Sequence, residues 1–251
     1  MKDKKMELSI KASIIRKKLG EDTESPIDLF TLVQSIDGMT ILLYPLGQKI
    51  SGVCIKLQKS SLIAINSMMS VGRQRFSLAH ELYHYYYDKQ MSSSICSTDI
   101  GLGDIIEREA DIFASFFLIP PRSLYEKIEK IKCCNQKLDI ADLISLEQYY
   151  GVSRQAILYR LIEDSVLTYD EANSMKSNVI STASKLGYDT GLYKSTSIVS
   201  QRQTLGYYIK KAEDLFDNEI ISYGKYEELL LDAFREDIVY GEEMEGVEIV
   251  D

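Results

Sequence analysis

The 251-residue sequence has no apolar run long enough to cross a bilayer. Its longest such run, residues 112–120, is far shorter than the roughly 20 residues that a membrane-spanning helix needs. Charged residues interrupt residues 1–20, so this segment lacks the continuous apolar core of a secretory leader. Together the two absences predict a cytoplasmic protein that makes no contact with a membrane.

Cysteine and proline are also scarce, with four of each. The cysteines Cys54, Cys96, Cys133 and Cys134 form no CxxC pair, which excludes the common paired-cysteine zinc motifs. We therefore expect small core or surface thiols in a reducing compartment. With 45% hydrophobic and 27% charged residues, the composition is typical of an ordinary folded protein.

Positive charge is not in excess, since the net charge at pH 7 is -9. From Lys225 to the end, ten acidic residues stand against two basic ones, so the rest of the chain is close to neutral. Such a distribution gives no electrostatic footprint for general nucleic-acid binding. We interpret the acidic end as a solvated or frayed tail.

Apolar periodicity places helices and strands along the first half of the chain. Predicted helices span residues 7–19, 25–38, 73–88 and 105–118. Predicted strands span residues 39–47, 50–58 and 61–68. Ser25 is the expected N-cap of the second helix, and the pair Pro120 and Pro121 ends the fourth. The polar, Ser- and Gly-rich residues 89–104 are predicted to form a loop.

The only two histidines of the chain, His80 and His84, lie four residues apart in the sequence HELYH. On a helix this spacing points both imidazoles the same way, so their nitrogens can converge on one metal ion. Glu81, one step round the helix, can take a proton from water without being a ligand itself. The HExxH motif thus provides two metal ligands and one general base. The motif alone is also compatible with an alternative, in which His80 and His84 are core or surface histidines and Glu81 is a solvated side chain.

A catalytic zinc site has three protein ligands and an open fourth position. Because no third histidine exists, the third ligand must be a carboxylate. On the helix after the polar loop, Glu107 and Asp111 share a face with Ala110 and Ala114, whose small side chains allow a close helix approach. Glu107 is the candidate ligand, and Asp111 is the candidate acceptor for a histidine N–H. Alternatively, both acids only complement the helix dipole.

The run RFSLAHELYHYY, followed some twenty residues later by EREADIFASFFLIP, resembles the ImmA/IrrE family of metallo-endopeptidases. In that family, HExxH precedes a helix of the form E-x-x-A-(N/D)-x-F-A that ends at a hydrophobic residue and proline. By position, Glu107 matches the third metal ligand and Asp111 the Asn/Asp beside it, while Ala110, Phe113 and Ala114 match the packing face. The resemblance covers roughly residues 25–165 as an arrangement of segments.

The resemblance implies an α+β, zincin-like fold. We expect a small three-stranded, largely antiparallel sheet and the HExxH helix, followed by an all-helical C-terminal region. The expected divisions are a zinc metallopeptidase domain (1–130), a helix-turn-helix-like helical domain (131–185) and a C-terminal helical region with an acidic tail (186–251). The expected cofactor is Zn²⁺, with Mn²⁺ as an alternative. The family also implies a protein substrate, a cytosolic helix-turn-helix repressor of stress or mobile-element genes.

Residues 142–168 resemble a helix-turn-helix, with Ser153 capping the second helix. Arg154 and Arg160 are the only basic residues on that helix, so we expect packing or protein contact rather than direct DNA binding. Further helices are predicted over residues 203–217 and 222–237, with Ser222 as a cap.

The sequence does not identify the side chain that stabilises the oxyanion or the strand that binds substrate. The candidate oxyanion donors, which cannot be ranked, are Tyr83, Tyr85, Tyr86, Tyr87 and Tyr125. We interpret Arg73 and Arg75 as solvated charges. The strand over residues 61–68 could be a sheet edge that binds substrate or an internal strand. The expected function is a zinc-dependent endopeptidase, and the alternative is a non-proteolytic zinc protein that binds a repressor or DNA.

Overall fold

The computed structural model describes residues 2–88, 93–135 and 137–241. Within these ranges the helices are α1 (Lys2–Lys18), α2 (Leu29–Gln34), α3 (Val71–Tyr87), α4 (Ile105–Leu118), α5 (Pro121–Asn135), α6 (Ile140–Tyr150), α7 (Arg154–Glu163), α8 (Tyr169–Ser174), α9 (Val179–Lys185), α10 (Tyr207–Asp217), α11 (Tyr223–Asp232) and α12 (Glu236–Tyr240). The strands are β1 (Met39–Tyr44), β2 (Ile50–Lys56), β3 (Ser61–Asn66), β4 (Ser93–Ser97) and β5 (Gln203–Gly206). Of the acidic end predicted from Lys225 onward, α11 and α12 account for most residues up to 240, and residues 242–251 lie outside the described residues.

The described strands form one sheet in the order β4-β2-β3-β1-β5. β1 and β3 pair in parallel, while the β1–β5, β2–β3 and β2–β4 pairs are antiparallel. The α+β class and the largely antiparallel character of the sheet are confirmed. The predicted number of three strands was wrong, since β4 and β5 extend the sheet at its two edges. The C-terminal region is helical apart from β5.

The position of β3 corrects one prediction about substrate binding. β3, within the predicted strand 61–68, lies between β2 and β1, so both of its edges are hydrogen-bonded to neighbours. The alternative of an internal strand therefore holds. Beyond β2, the edge strand of the described sheet is β4. Because β4 lies within residues 89–104, the prediction that this whole segment is a loop was wrong.

Local capping explains where the early helices begin. The predicted helix over residues 25–38 starts only at Leu29, after the N-cap residue Asp28. The side chain of Asp22 accepts hydrogen bonds from the backbone N–H groups of Glu24 and Ser25, each at 2.6 Å. This turn keeps Ser25 outside the helix, so its prediction as N-cap was wrong.

Helix α3 packs against β2 and β3, α4 packs on α3, and α1 packs on α4. The core between these elements includes Leu8, Ile63, Leu78 and Phe113, all completely buried. Burying apolar side chains of this size stabilises a fold by roughly 1.5–3 kcal/mol each. The arrangement places the HExxH helix between the sheet and the helix that follows the predicted loop.

The helix-turn-helix-like segment uses its basic residues internally. Gly151 ends α6 in the left-handed conformation, and the Ser153 side chain caps α7 as predicted. Arg154 is buried and pairs with Glu147, while Arg160 is buried and donates to the backbone oxygen of Ile119. Neither guanidinium is therefore exposed on a surface that could contact phosphate. No helix in the described ranges has the length and apolar character needed to cross a membrane.

The arginines at the start of α3 also bind other segments, contrary to their prediction as solvated charges. Arg73 donates to the backbone oxygen of Thr98, and Arg75 donates to the backbone oxygens of Ile27 and Gly151. Each guanidinium thereby donates hydrogen bonds to backbone carbonyl groups that lie outside the regular helices and strands. They join α3 to the segments on either side of it.

The lack of a side chain at Gly72 allows the start of α3 to lie close to the turn between α6 and α7. A Cβ at position 72 would lie 2.6 Å from the backbone nitrogen of Ser153 and 2.9 Å from the carbonyl carbon of Val152. Gly72→Ala should therefore lower the free energy of unfolding by about 1–3 kcal/mol, because the backbone at the α6–α7 turn must move. Urea unfolding of both proteins measures the change.

Gly224→Ala provides the matched control, since position 224 lies in α11 and a Cβ there meets no atom within 4 Å. We expect no loss, and at most a gain of about 1 kcal/mol from helix propensity. Equal stability of the two variants would contradict the close contact at Gly72.

Candidate metal centre

Helix α3 carries both histidines and Glu81 into the interior. His80, Glu81 and His84 retain 6%, 0% and 0% of their exposure, respectively. The i, i+4 spacing turns both imidazoles to the same side, and their Nε2 atoms lie 3.2 Å apart. Two ring nitrogens this close, both facing one point, are arranged to share a single partner.

Helix α4 brings a carboxylate to the same point. Asp104 caps α4 by accepting hydrogen bonds from the backbone N–H groups of Ile106 and Glu107, which fixes the first turn. Glu107 Oε2 lies 3.3 Å from His80 Nε2, and Glu107 Oε1 lies 3.3 Å from His84 Nε2. The sequence prediction that these three residues meet agrees with the geometry.

The spacing of the histidine nitrogens and the Glu107 oxygens is close to that of ligand atoms around one zinc ion. Zinc bonds of about 2.0–2.1 Å to nitrogen and oxygen place neighbouring ligand atoms roughly 3.3 Å apart in a tetrahedron. The two nitrogens lie 3.2 Å apart, and each lies 3.3 Å from a different oxygen of the Glu107 carboxylate, so the separations are close to this spacing. The donor set of two imidazoles and a carboxylate also suits zinc chemically.

Asp111 orients one of the two imidazoles. Its Oδ1 lies 2.8 Å from His80 Nδ1, and its Oδ2 accepts a hydrogen bond of 2.6 Å from the backbone N–H of Gly101. A hydrogen bond at Nδ1 leaves the Nε2 lone pair of a neutral His80 directed towards Glu107 and His84. Asp111 thus lies where the sequence predicted an acceptor for a histidine N–H.

The buried groups shift one another's protonation in the protein without metal. Burial alone would lower the pKa of His80, but its contacts with Asp111, Cys96 and Glu107 raise it well above the ordinary value of 6.5. Hydrogen bonds from His80 and then His84 lower the pKa of Glu107. Protons and a cation would therefore compete for the same nitrogens.

Glu81 lies on the sheet side of the cluster. Its pKa is raised, chiefly because the carboxyl group is buried. Ser94 donates a 3.1 Å hydrogen bond to Oε2, while Oε1 has no hydrogen-bond partner among the described residues. A Cβ at position 52 would lie 2.6 Å from Oε1, so the absence of a side chain at Gly52 gives this carboxylate its place against β2.

Two residues of the cluster were missed by the sequence analysis. Ser94 and Cys96 are buried on β4, while the alternate residue Ile95 is 69% exposed. The Cys96 sulfur belongs with the ligand atoms of His80, His84 and Glu107, all within 4.8 Å of one another. The only local signal was this alternation, which is short and lies among polar residues.

The neighbouring acid Glu109 and the candidate oxyanion donors make other contacts. Glu109, on another face of α4, accepts a 2.6 Å hydrogen bond from the Tyr83 hydroxyl and pairs with Lys4. Tyr87 donates to the backbone oxygen of Lys11. Tyr125 lies on α5 and is 64% exposed, and Tyr85 and Tyr86 pack against the core. In the described part of the chain, the hydroxyls of Tyr83 and Tyr87 thus serve contacts away from the histidines.

A larger cavity lies next to the cluster rather than at it. It has a volume of about 1070 Å³ and is lined by α7 and α9 side chains such as Leu158 and Ile180. Arg73 and Ile100 line both this cavity and a small one beside His80. Of the cluster, His80 and Asp111 line the small cavity. We locate the chemistry where the titratable groups His80, His84 and Glu107 converge, not in the larger cavity.

Comparison with protein families agrees with the geometry. Residues 37–162, about half of the chain, match the model of the IrrE N-terminal-like domain, which defines peptidase family M78. The chain belongs to this family. The resemblance to ImmA/IrrE peptidases is thereby confirmed. Among curated proteins, none matches the sequence. Membership in the M78 family supports a metallopeptidase-type function, and a peptidase implies a protein substrate.

We expect Asp111→Asn to destabilise the protein without metal mainly at mildly acidic pH. The raised pKa of His80 contributes stability that is complete below pH 6.5 and is lost as pH rises through the raised value. The lowered pKa of Glu107 contributes stability that is complete above pH 4.5 and is lost as pH falls through the lowered value. Both contributions are therefore present between these two pH values.

Urea unfolding in chelator measures this dependence. The loss from Asp111→Asn should be roughly 1–3 kcal/mol near pH 5.5 and should shrink as the pH rises beyond the His80 pKa. Glu109→Gln is the control, because it removes a carboxylate of the same helix whose described partners are Tyr83 and Lys4 and not a histidine. A loss from Asp111→Asn that does not vary with pH would contradict the assignment.

Proposed function

We propose that this chain is a zinc-dependent endopeptidase that acts in the cytoplasm. Its substrate is a helix-turn-helix transcriptional repressor, whose cleavage controls stress or mobile-element genes. The observation that carries the proposal is the convergence of His80 Nε2, His84 Nε2 and the Glu107 carboxylate beside the buried Glu81. The M78 family match supports the same reaction class.

His80, His84 and Glu107 would hold the ion, Zn²⁺ or alternatively Mn²⁺. Bound there, the ion would supply a Lewis acid for the peptide carbonyl and for the attacking water. Glu81 accepts the proton of that water and returns it to the leaving amine. Its raised pKa suits both steps, because a general base works best when its pKa approaches the working pH.

The neighbouring groups position these side chains. Asp111 keeps the His80 ring in the tautomer that presents Nε2, and the Ser94 hydroxyl fixes one oxygen of Glu81. Because no described residue donates a hydrogen bond to Oε1 of Glu81, this oxygen would be available to accept a proton from water. The two halves of the carboxylate thus have different tasks, one structural and one chemical.

Strand β4 gives an extended substrate a place to bind. It lies at the edge of the described sheet and pairs with β2 on one side only. A peptide can add to such an edge through main-chain hydrogen bonds. Ser94 and Cys96 on β4 contact Glu81 and the histidines, so a peptide paired there would pass close to the general base.

The repressor as substrate rests on the family resemblance. Direct DNA binding by α7 has less support, because Arg154 and Arg160 are buried and paired.

One observation favours the alternative, a non-proteolytic zinc protein that binds a repressor or DNA. Cys96 joins the three candidate ligands, and structural zinc sites are normally closed by four protein ligands.

Glu81→Gln should retain one zinc per chain but lose repressor cleavage by at least about 100-fold, because the general base is missing. The assay combines metal analysis with electrophoresis of a repressor encoded beside the gene of this chain. His80→Ala should lose both metal and cleavage, whereas Glu109→Gln should lose neither. An intact repressor held in a stable complex with the wild-type protein would favour the scaffold alternative, and full cleavage by Glu81→Gln would refute the mechanism.

A further inference from the structure

Cys96 lies in the candidate metal centre although no step of the proposed reaction uses it. Its side chain is 1% exposed, and its sulfur forms one set with the ligand atoms of His80, His84 and Glu107. All of these atoms lie within 4.8 Å of one another. Cys96 is therefore a fourth potential ligand contributed by the sheet, whereas the other three come from helices.

The contacts of the thiol show which place it takes. The sulfur lies within 4.8 Å of a His80 ring nitrogen, and Cys96 pairs with Gly52, against which Glu81 packs. Cys96 therefore lies near both His80 and Glu81. These residues, one a candidate ligand and the other the general base, are the groups between which the attacking water must fit. Thiol and water therefore compete for one position.

The sheet register holds Cys96 in that position. Cys96 pairs with Gly52 across the β2–β4 ladder, and Glu81 packs against Gly52. Any side chain at position 52 would push the carboxylate away from the strand. The strand pairing and the helix packing thus bring sulfur and carboxylate together independently of a metal.

On the basis of the proposed zinc site, we propose that Cys96 is the fourth protein ligand of a closed resting state. The thiol loses its proton as the sulfur binds the ion, and Glu81 is placed to accept it. A site of two imidazoles, one carboxylate and one thiolate has no room for water, so hydrolysis requires Cys96 to leave. Thiolate also favours zinc over manganese, which prefers oxygen ligands.

Cobalt substitution tests the ligand directly, because a bound thiolate gives Co²⁺ an intense near-ultraviolet charge-transfer band. The wild-type protein reconstituted with one Co²⁺ should show this band, and Cys96→Ala should lack it. Cys54→Ala is the matched control, since Cys54 is a buried thiol on β2 outside the ligand set. Cys96→Ser, which preserves shape, should also lack the band while circular dichroism shows a folded protein.

Metal affinity provides a second readout. Loss of the sulfur should weaken zinc binding by at least roughly tenfold, the smallest effect expected even of groups that only support a ligand.

The outcomes separate this proposal from the one on which it rests. Stoichiometric Co²⁺ binding that needs His80 but shows no thiolate band in the wild-type protein overturns the role of Cys96 alone. A wild-type protein that binds no Co²⁺, or binds it equally after His80→Ala, overturns the metal site itself. A band that persists in Cys96→Ala also overturns the assignment, because another thiol must then be the source.

Discussion

The contact between α3 and α4 depends on the pairing of buried charge. His80, Glu81 and His84 lie in the interior, where an ionisable group is stable only if it has a hydrogen-bond or charge partner. Helix α4 supplies partners for both histidines through Glu107 and Asp111, and β4 supplies Ser94 as the partner of Glu81. One set of contacts therefore both joins the two helices and assembles the candidate site, so a change that separates the helices would also disperse the chemistry.

Much of the helical part of this arrangement could be predicted because its signals are local. Spacing of three and four residues placed Glu107 and Asp111 on one face, and small residues at 110 and 114 indicated a close approach. Both alanines are completely buried. The predicted bounds of α4 agree with the structure, since its N-cap and the following prolines are themselves part of the local sequence.

The missed features all depend on partners distant in the sequence. β4 has five residues and β5 has four, too few for alternation to outweigh polar or helical neighbours. Cys96 enters the cluster through pairing with β2, some forty residues earlier in the chain, which no local pattern encodes. Arg73 likewise appeared solvated because its acceptor, the Thr98 carbonyl, belongs to another segment.

The pairing of β5 with β1 has a consequence for synthesis on the ribosome. β1 contains residues 39–44, and within the described part of the chain its outer edge is covered by residues 203–206. A nascent chain that has already emerged with its histidines and Glu107 still exposes an apolar strand edge, which is the kind of template on which chains aggregate. Completion of the sheet must wait until the C-terminal segment has left the exit tunnel, and a chaperone that shields β1 during that interval would favour the native pairing.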